Sequence, residues 1–162
     1  MKVILTIVLI LTSGVVSAES SLPDLEKTIK AANGGNVIAM HYLCYQYRYG
    51  DDFEADYKKA VKWCEKTAKS GDSDGQTLYA ELLQYGFGTP VNLEGSVKWY
   101  LKAAEQDHVH ALYMLFFAYA EGIFVQQDFN KAHYVLKRSA DLGYEKAKEL
   151  LKEIEDRTKA KV

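Results

Sequence analysis

The side chains best suited to metal or covalent chemistry in this 162-residue sequence are four histidines, His41, His108, His110 and His133, and two cysteines, Cys44 and Cys64. His108-x-His110 is the close pair. Residues two apart on a helix point away from each other and no third ligand is spaced nearby, so the pair predicts no metal site. Both fall in register with Asp72 and Asp74 one period earlier, which predicts a solvated junction between units. Nucleophilic chemistry needs a hydroxyl or thiol beside a base, yet the sequence has no Ser-x-x-Lys or His-Glu-x-x-His, and its one Gly-x-Ser-x-Gly, Gly71-Asp72-Ser73-Asp74-Gly75, falls on the junction between repeats and follows no strand pattern. Gly86-Phe87-Gly88 is a faint echo of a phosphate loop, and the period described next already accounts for it. The expectation is a chain with no catalytic residues, no metal and no cofactor.

The elements that must carry these residues are set by a repeat. Ala60-Val61-Lys62-Trp63-Cys64-Glu65-Lys66-Thr67-Ala68 returns 36 residues later at 96–104 and again at 132–140, with the small and basic positions kept. Gly50, Gly86 and Gly122 mark the same period, each after an apolar-periodic run, as helix-ending glycines do. Ahead of them Ala39, Leu43, Tyr47, then Gly75, Tyr79, Leu83, then Ala111, Leu115, Tyr119 follow an i, i+4, i+8 spacing that lines one helix face. Asp56, Asn92 and Asp128 are suited to cap the start of each following helix. Each unit is therefore helix, turn, helix. Two antiparallel helices cannot bury their apolar faces alone, so the units must stack and the ends need covers.

The expected fold is all-α: a right-handed α-solenoid of about three 36-residue repeats at 39–74, 75–110 and 111–146, with capping helices at 19–38 and 147–162. At the front, Ser21-Leu22-Pro23-Asp24 reads as an N-cap with proline in the first turn, followed by Leu25, Ile29 and Ala32 on one face. At the back, Ala147, Leu150, Leu151 and Ile154 form an apolar stripe.

Residues 1–18 read as a signal peptide: Lys2, a short apolar run, then Val16-Ser17-Ala18 for cleavage. An uncleaved anchor is the other reading, but no stop-transfer flank follows the run. No cysteine near the cut would take a lipid. The expected location is the periplasm or the outside of the cell, both oxidising. The formal charge is −2 and contains no long run of one sign, which argues against nucleic acid or anionic lipid as partner.

The repeat resembles the Sel-one-like repeat, a relative of the tetratricopeptide repeat. Tyr47, Gly50, Asp56, Lys59, Ala60, Trp63, Lys66 and Ala68 match its pattern in the first copy. Gly86, Gly88, Trp99, Tyr100 and Lys102-Ala103-Ala104 match in the second, and Ala111, Leu115, Tyr119, Gly122, Val125, Asp128, Lys131, Ala132, Ala140 and Gly143 in the third. The first copy lacks the second glycine, the second has Gly95-Ser96 for Lys-Ala, and the third has Val135-Leu136 for Trp-Tyr. The resemblance implies a scaffold that binds another protein, not an enzyme. A cysteine-rich secreted branch of the family, linked to penicillin-like ligands, keeps open a small hydrolase of cell-wall or β-lactam substrates.

Against the family pattern, Cys44 stands where a small residue packs on the second helix and Cys64 where that helix carries an aromatic. The equivalent pairs are Ala80 with Tyr100 and Phe116 with Leu136. The resemblance thus implies that the two cysteines touch, and in an oxidising compartment they would bond; two reduced buried thiols are the alternative. The family's concave-face rule selects His41, Tyr45, Arg48 and Tyr49 in the first copy. In the second it selects Thr77, Glu81, Gln84 and Tyr85, and in the third Tyr113, Phe117, Ala120 and Glu121. Tyrosine and arginine are common interface anchors, so this stripe is the expected contact surface, with Tyr113 and Phe117 the rings most open to being used in packing instead. The expected role is an adaptor or regulator of an envelope or secreted protein. An immunity protein that blocks a toxin and a purely structural protein are the other binding and non-binding readings.

Overall fold

The computed structural model describes residues 24–160 apart from Phe53. The expected leader and cleavage site, with Ser21–Pro23 of the expected first cap, lie outside the described residues. Among them the chain forms eight helices: α1 (Leu25–Asn33), α2 (Val37–Tyr49), α3 (Tyr57–Lys69), α4 (Ser73–Tyr85), α5 (Leu93–Ala104), α6 (Val109–Glu121), α7 (Phe129–Asp141) and α8 (Glu145–Lys159). The pairs α2/α3, α4/α5 and α6/α7 are the three units; α1 covers the front of the stack and α8 the back.

Helix boundaries follow from side chains that satisfy otherwise free backbone N–H groups. Asp56, Asn92 and Asp128 cap α3, α5 and α7 by accepting from the backbone N–H three residues on. A second register, Asn36, Asp72 and His108, does the same for α2, α4 and α6. The first helix of each unit therefore starts two residues before the expected repeat boundary. Asp24 caps α1 by accepting from both Glu26 and Lys27, so that helix begins at Leu25. At the other ends Gly50, Gly86 and Gly122 adopt φ of 77°, 71° and 74°, the left-handed conformation that closes a helix and that glycine enters without a Cβ clash. Gly88 has a further reason to be glycine, because a Cβ there would stand 2.3 Å from the Tyr57 carbonyl oxygen.

The inward positions read from the sequence are inward. Ala60, Trp63, Cys64, Thr67 and Ala68 are buried on α3, and Leu43, Cys44 and Tyr47 face them from α2. One apolar cluster joins α1, α2 and α3 with Leu82 of α4, a second joins α4 to α7, and a third lies under α8 around Leu136, Ala140 and Ala147. Consecutive units are also tied by polar contacts: Gln106 donates to the Gly71 carbonyl and Arg138 to both oxygens of Asp107, while within the third unit Ser139 donates to the Val109 carbonyl. No helix among the described residues is long and apolar enough to cross a membrane.

Cys44 and Cys64 are bonded across the first pair, with Cα atoms 4.7 Å apart and both residues fully buried. A loop of 20 residues closed in this way stabilises by roughly 3 kcal/mol in the chain-entropy model. Replacing both cysteines with alanine, or reducing the bond, should lower the unfolding free energy by about that amount; urea titration followed by helical circular dichroism measures it.

Candidate functional site

The first helices of the three units, α2, α4 and α6, lie side by side and enclose an open groove of about 310 Å³. His41, Tyr45 and Tyr49 of α2 form one wall; Asp74, Thr77, Leu78 and Glu81 of α4 form the floor, and His108 and His110 the other side. Five residues of the expected stripe therefore meet here: His41, Tyr45, Tyr49, Thr77 and Glu81. Tyr45 and Tyr49 are 41% and 48% exposed, and their rings lie 4.6 Å apart.

Two expected contact residues are placed differently. Thr77 and Glu81 are only 3% and 7% exposed, because α4 is the middle helix and its neighbours shield the positions that would face solvent at an end of the array. The Thr77 hydroxyl donates to the Ser73 carbonyl 2.9 Å away. Glu81 accepts from Arg48, whose side chain is 10% exposed, so the arginine also belongs to the floor. The Arg48 guanidinium lies over the Tyr49 ring at 5.1 Å and the Phe87 ring at 5.6 Å. Its Nε and Nη1 have no hydrogen-bond partner among the described residues, and the two aromatic faces supply their electrostatic compensation.

The remaining stripe residues fall outside the groove. Gln84 accepts from the Tyr100 hydroxyl at 2.9 Å and, with Phe117, lines a separate small cavity between α4, α5 and α6. Tyr113 and Phe117 pack edge to face on each other, and Tyr113 also meets Tyr144, so both rings serve packing. Tyr85 is 54% exposed and continues into an aromatic row through Phe87, which stacks on Tyr57 at 5.0 Å. Ala120 is half-buried and Glu121 exposed at the end of α6.

The sequence reading missed Asp74, Leu78, His108 and His110 as groove residues. A signal existed: Ile38, Asp74 and His110 share one register, five residues before the core position held by Leu43, Tyr79 and Leu115. His108 does sit at the junction between the second and third units, where it caps α6, but both histidines are half-buried and engaged by neighbours. His108 accepts the Ala111 N–H at Nδ1, 3.3 Å away, and its Nε2 lies 3.0 Å from Asp74 Oδ1. With Nδ1 an acceptor, the proton sits on Nε2 and is donated to the carboxylate.

His110 stacks on Tyr144 and brings Nδ1 to 3.2 Å from Glu81 Oε1. Burial first, then the charges of His108, Lys146 and Arg48, push its imidazole down to about 4. The ring is therefore neutral near pH 7, and the Glu81 carboxylate it approaches is already engaged by Arg48. Glu81 itself is raised above the ordinary carboxylate range by burial, with Arg48 acting against the rise.

In the unfolded chain the imidazole titrates near its ordinary 6.5, so between 6.5 and about 4 the unfolded state binds the extra proton. Stability should fall as pH drops through that window, and Glu81, shifted the opposite way, offsets part of it at the acid end. Urea midpoints at pH 7, 6 and 5 should decline for the native protein and decline less for His110→Gln.

Comparison with known proteins adds the lineage. The Sel1 repeat pattern matches residues 37–72, 73–108 and 109–144, three consecutive units each opening just after a cap residue. The chain is 33% identical over 85 residues to the chitin synthase regulator SKT5 of Saccharomyces cerevisiae, and 28% identical over 127 residues to an uncharacterized protein of Neisseria meningitidis serogroup B. These matches take in 51% and 78% of this chain but span only 12% and 23% of the two relatives. Among solved structures, a Sel1 repeat protein from Oxalobacter formigenes superposes with TM-score 0.71 at 31% identity, over 82% of this chain and 99% of that one. A protective antigen of uropathogenic Escherichia coli superposes with TM-score 0.74 at 28% identity, over 78% of this chain and 27% of that one. Cysteine rich protein B of Helicobacter pylori, at 16% identity and TM-score 0.62, shares the fold.

Proposed function

This chain belongs to the Sel1 repeat family, generally protein–protein interaction modules, and from that premise we propose that it holds a segment of an envelope or secreted protein in the α2/α4/α6 groove. The observation that carries this reading is the pairing of exposed Tyr45 and Tyr49 with a floor whose polar groups are already fixed by Glu81. Exposed aromatic rings next to preorganised polar groups are what a protein interface uses as anchors, and a floor that need not reorder keeps the entropic cost of binding low.

The role is that of an adaptor or regulator, acting by occlusion or tethering. The regulator of chitin synthase among the relatives supports this, though the chain matches only a small part of it. The buried disulfide and the leader-like start of the sequence support action in an oxidising compartment, the periplasm or the cell exterior. A toxin-neutralising role would use the same groove, and the identity of the retained protein separates the two.

The test is a pull-down from envelope and secreted fractions with the native domain beside Tyr45→Ala/Tyr49→Ala and, separately, Tyr85→Ala. The double variant should retain its partner at least ~10-fold less while keeping the helical circular dichroism signal, since both rings are exposed. Tyr85→Ala should have a smaller effect, because that ring belongs to the aromatic row outside the groove. A partner retained equally by the native and double-variant proteins would remove the groove from consideration.

A further inference from the structure

We propose that His41, Asp72 and Asp74 form a binding site for a divalent transition-metal cation of the zinc class at the head of the groove. One ligand atom from each of the three residues lies within 4.8 Å of the others, and His41 Nδ1 is 3.7 Å from Asp72 Oδ1. Zinc bonds to imidazole nitrogen and carboxylate oxygen place neighbouring ligand atoms roughly 3.4 Å apart in a tetrahedral site. Asp74, with 58% of its side chain exposed, has room for the rotation that closes this difference.

The two carboxylates are held from outside the set. Asp72 Oδ1 caps α4 by accepting the Gly75 N–H at 2.6 Å, which anchors that carboxylate, and a carboxylate oxygen keeps a further lone pair for an ion. Asp74 accepts from His108 Nε2, the outer-shell hydrogen bond that commonly orients a metal-bound carboxylate. His108 is not itself a ligand, since its Nδ1 takes the Ala111 N–H and its Nε2 proton is committed to Asp74. It is a positioning residue.

Two carboxylates and one neutral imidazole balance the charge of a divalent ion. The nitrogen donor and the small number of oxygens select zinc-like cations over calcium or magnesium, which need six or more oxygen ligands. Three protein ligands leave coordination open, and His41 and Asp74 both line the groove, so water or a bound partner's side chain completes the shell there. Sequence spacing around His108-x-His110 pointed away from a metal because the ligands come from different units, His41 on α2 and the aspartates at the start of α4. The site stands whether or not the groove takes a protein.

Calorimetric titration of zinc into the untagged, oxidised protein in a non-chelating buffer tests it; with both cysteines bonded, no thiol competes. Saturation at one equivalent is expected, with no comparable uptake of magnesium. His41→Ala and Asp74→Asn should each weaken binding at least ~10-fold, and His108→Gln about 10-fold. His133→Ala, on exposed α7 surface, should change nothing. Neither His41 nor Asp74 caps a helix, so circular dichroism of their variants should match the native protein. Absence of saturable zinc uptake, or uptake unchanged by both His41→Ala and Asp74→Asn, overturns the site.

Discussion

A pair of antiparallel helices has two apolar faces to hide and only one partner within the pair, and this constraint organises the protein. Each unit must lay its second helix against the first helix of the next, as α3 does on α4, α5 on α6 and α7 on α8. The approach of α3 and α4 is close enough that a Cβ at Gly75 would stand 2.5 Å from Thr67 Cγ2. Stacking in one direction brings α2, α4 and α6 together along a common side. The groove is thus a geometrical result of burying the other side.

Within the groove the burial of Glu81 is the controlling event. A carboxylate taken out of water is unfavourable unless its charge is met by geometry and hydrogen bonds. Here Arg48 from the preceding unit and His110 from the following one meet it. One side chain of the middle unit therefore links all three, and the floor is a fixed polar network. The residues that remain adaptable are on the rim, where Tyr45 and Tyr49 keep exposed faces.

The fold was legible in the sequence because its determinants are periodic. Caps at Asp56, Asn92 and Asp128, helix-closing glycines at Gly50, Gly86 and Gly122, and the small-residue face around Ala60, Trp63 and Ala68 each recur at one interval, and each has a local physical cause. The contact between Cys44 and Cys64 could be read by comparing equivalent positions in neighbouring copies. The site was legible only in part. A rule applied equally to every copy selects Thr77 as readily as His41, yet the middle helix is flanked on both sides and the first is not. Asp74, His108 and His110 escaped because their significance lies in pairing across units: Asp74 with His108, Glu81 with His110. Such pairings are not periodic, since each occurs once.

The single disulfide gives the array a direction. Its first helix pair is closed covalently, and α1, started by its Asp24 cap, packs over that pair through Ala32 and Ile29. At the opposite end Tyr144 offers α8 no side-chain cap, and no covalent bond closes the α6/α7 pair on which it rests. In a stack whose units contact only their neighbours, opening begins where nearest-neighbour coupling is weakest and proceeds one unit at a time. The chain should therefore unzip from its C-terminal end. His110, which rests on Tyr144, would be released early, while His41, Tyr45 and Tyr49 stay mounted on the clamped pair. A partially opened molecule would then keep one wall of its groove, so that a ligand gripped mainly by α2 would outlast the loss of the other side.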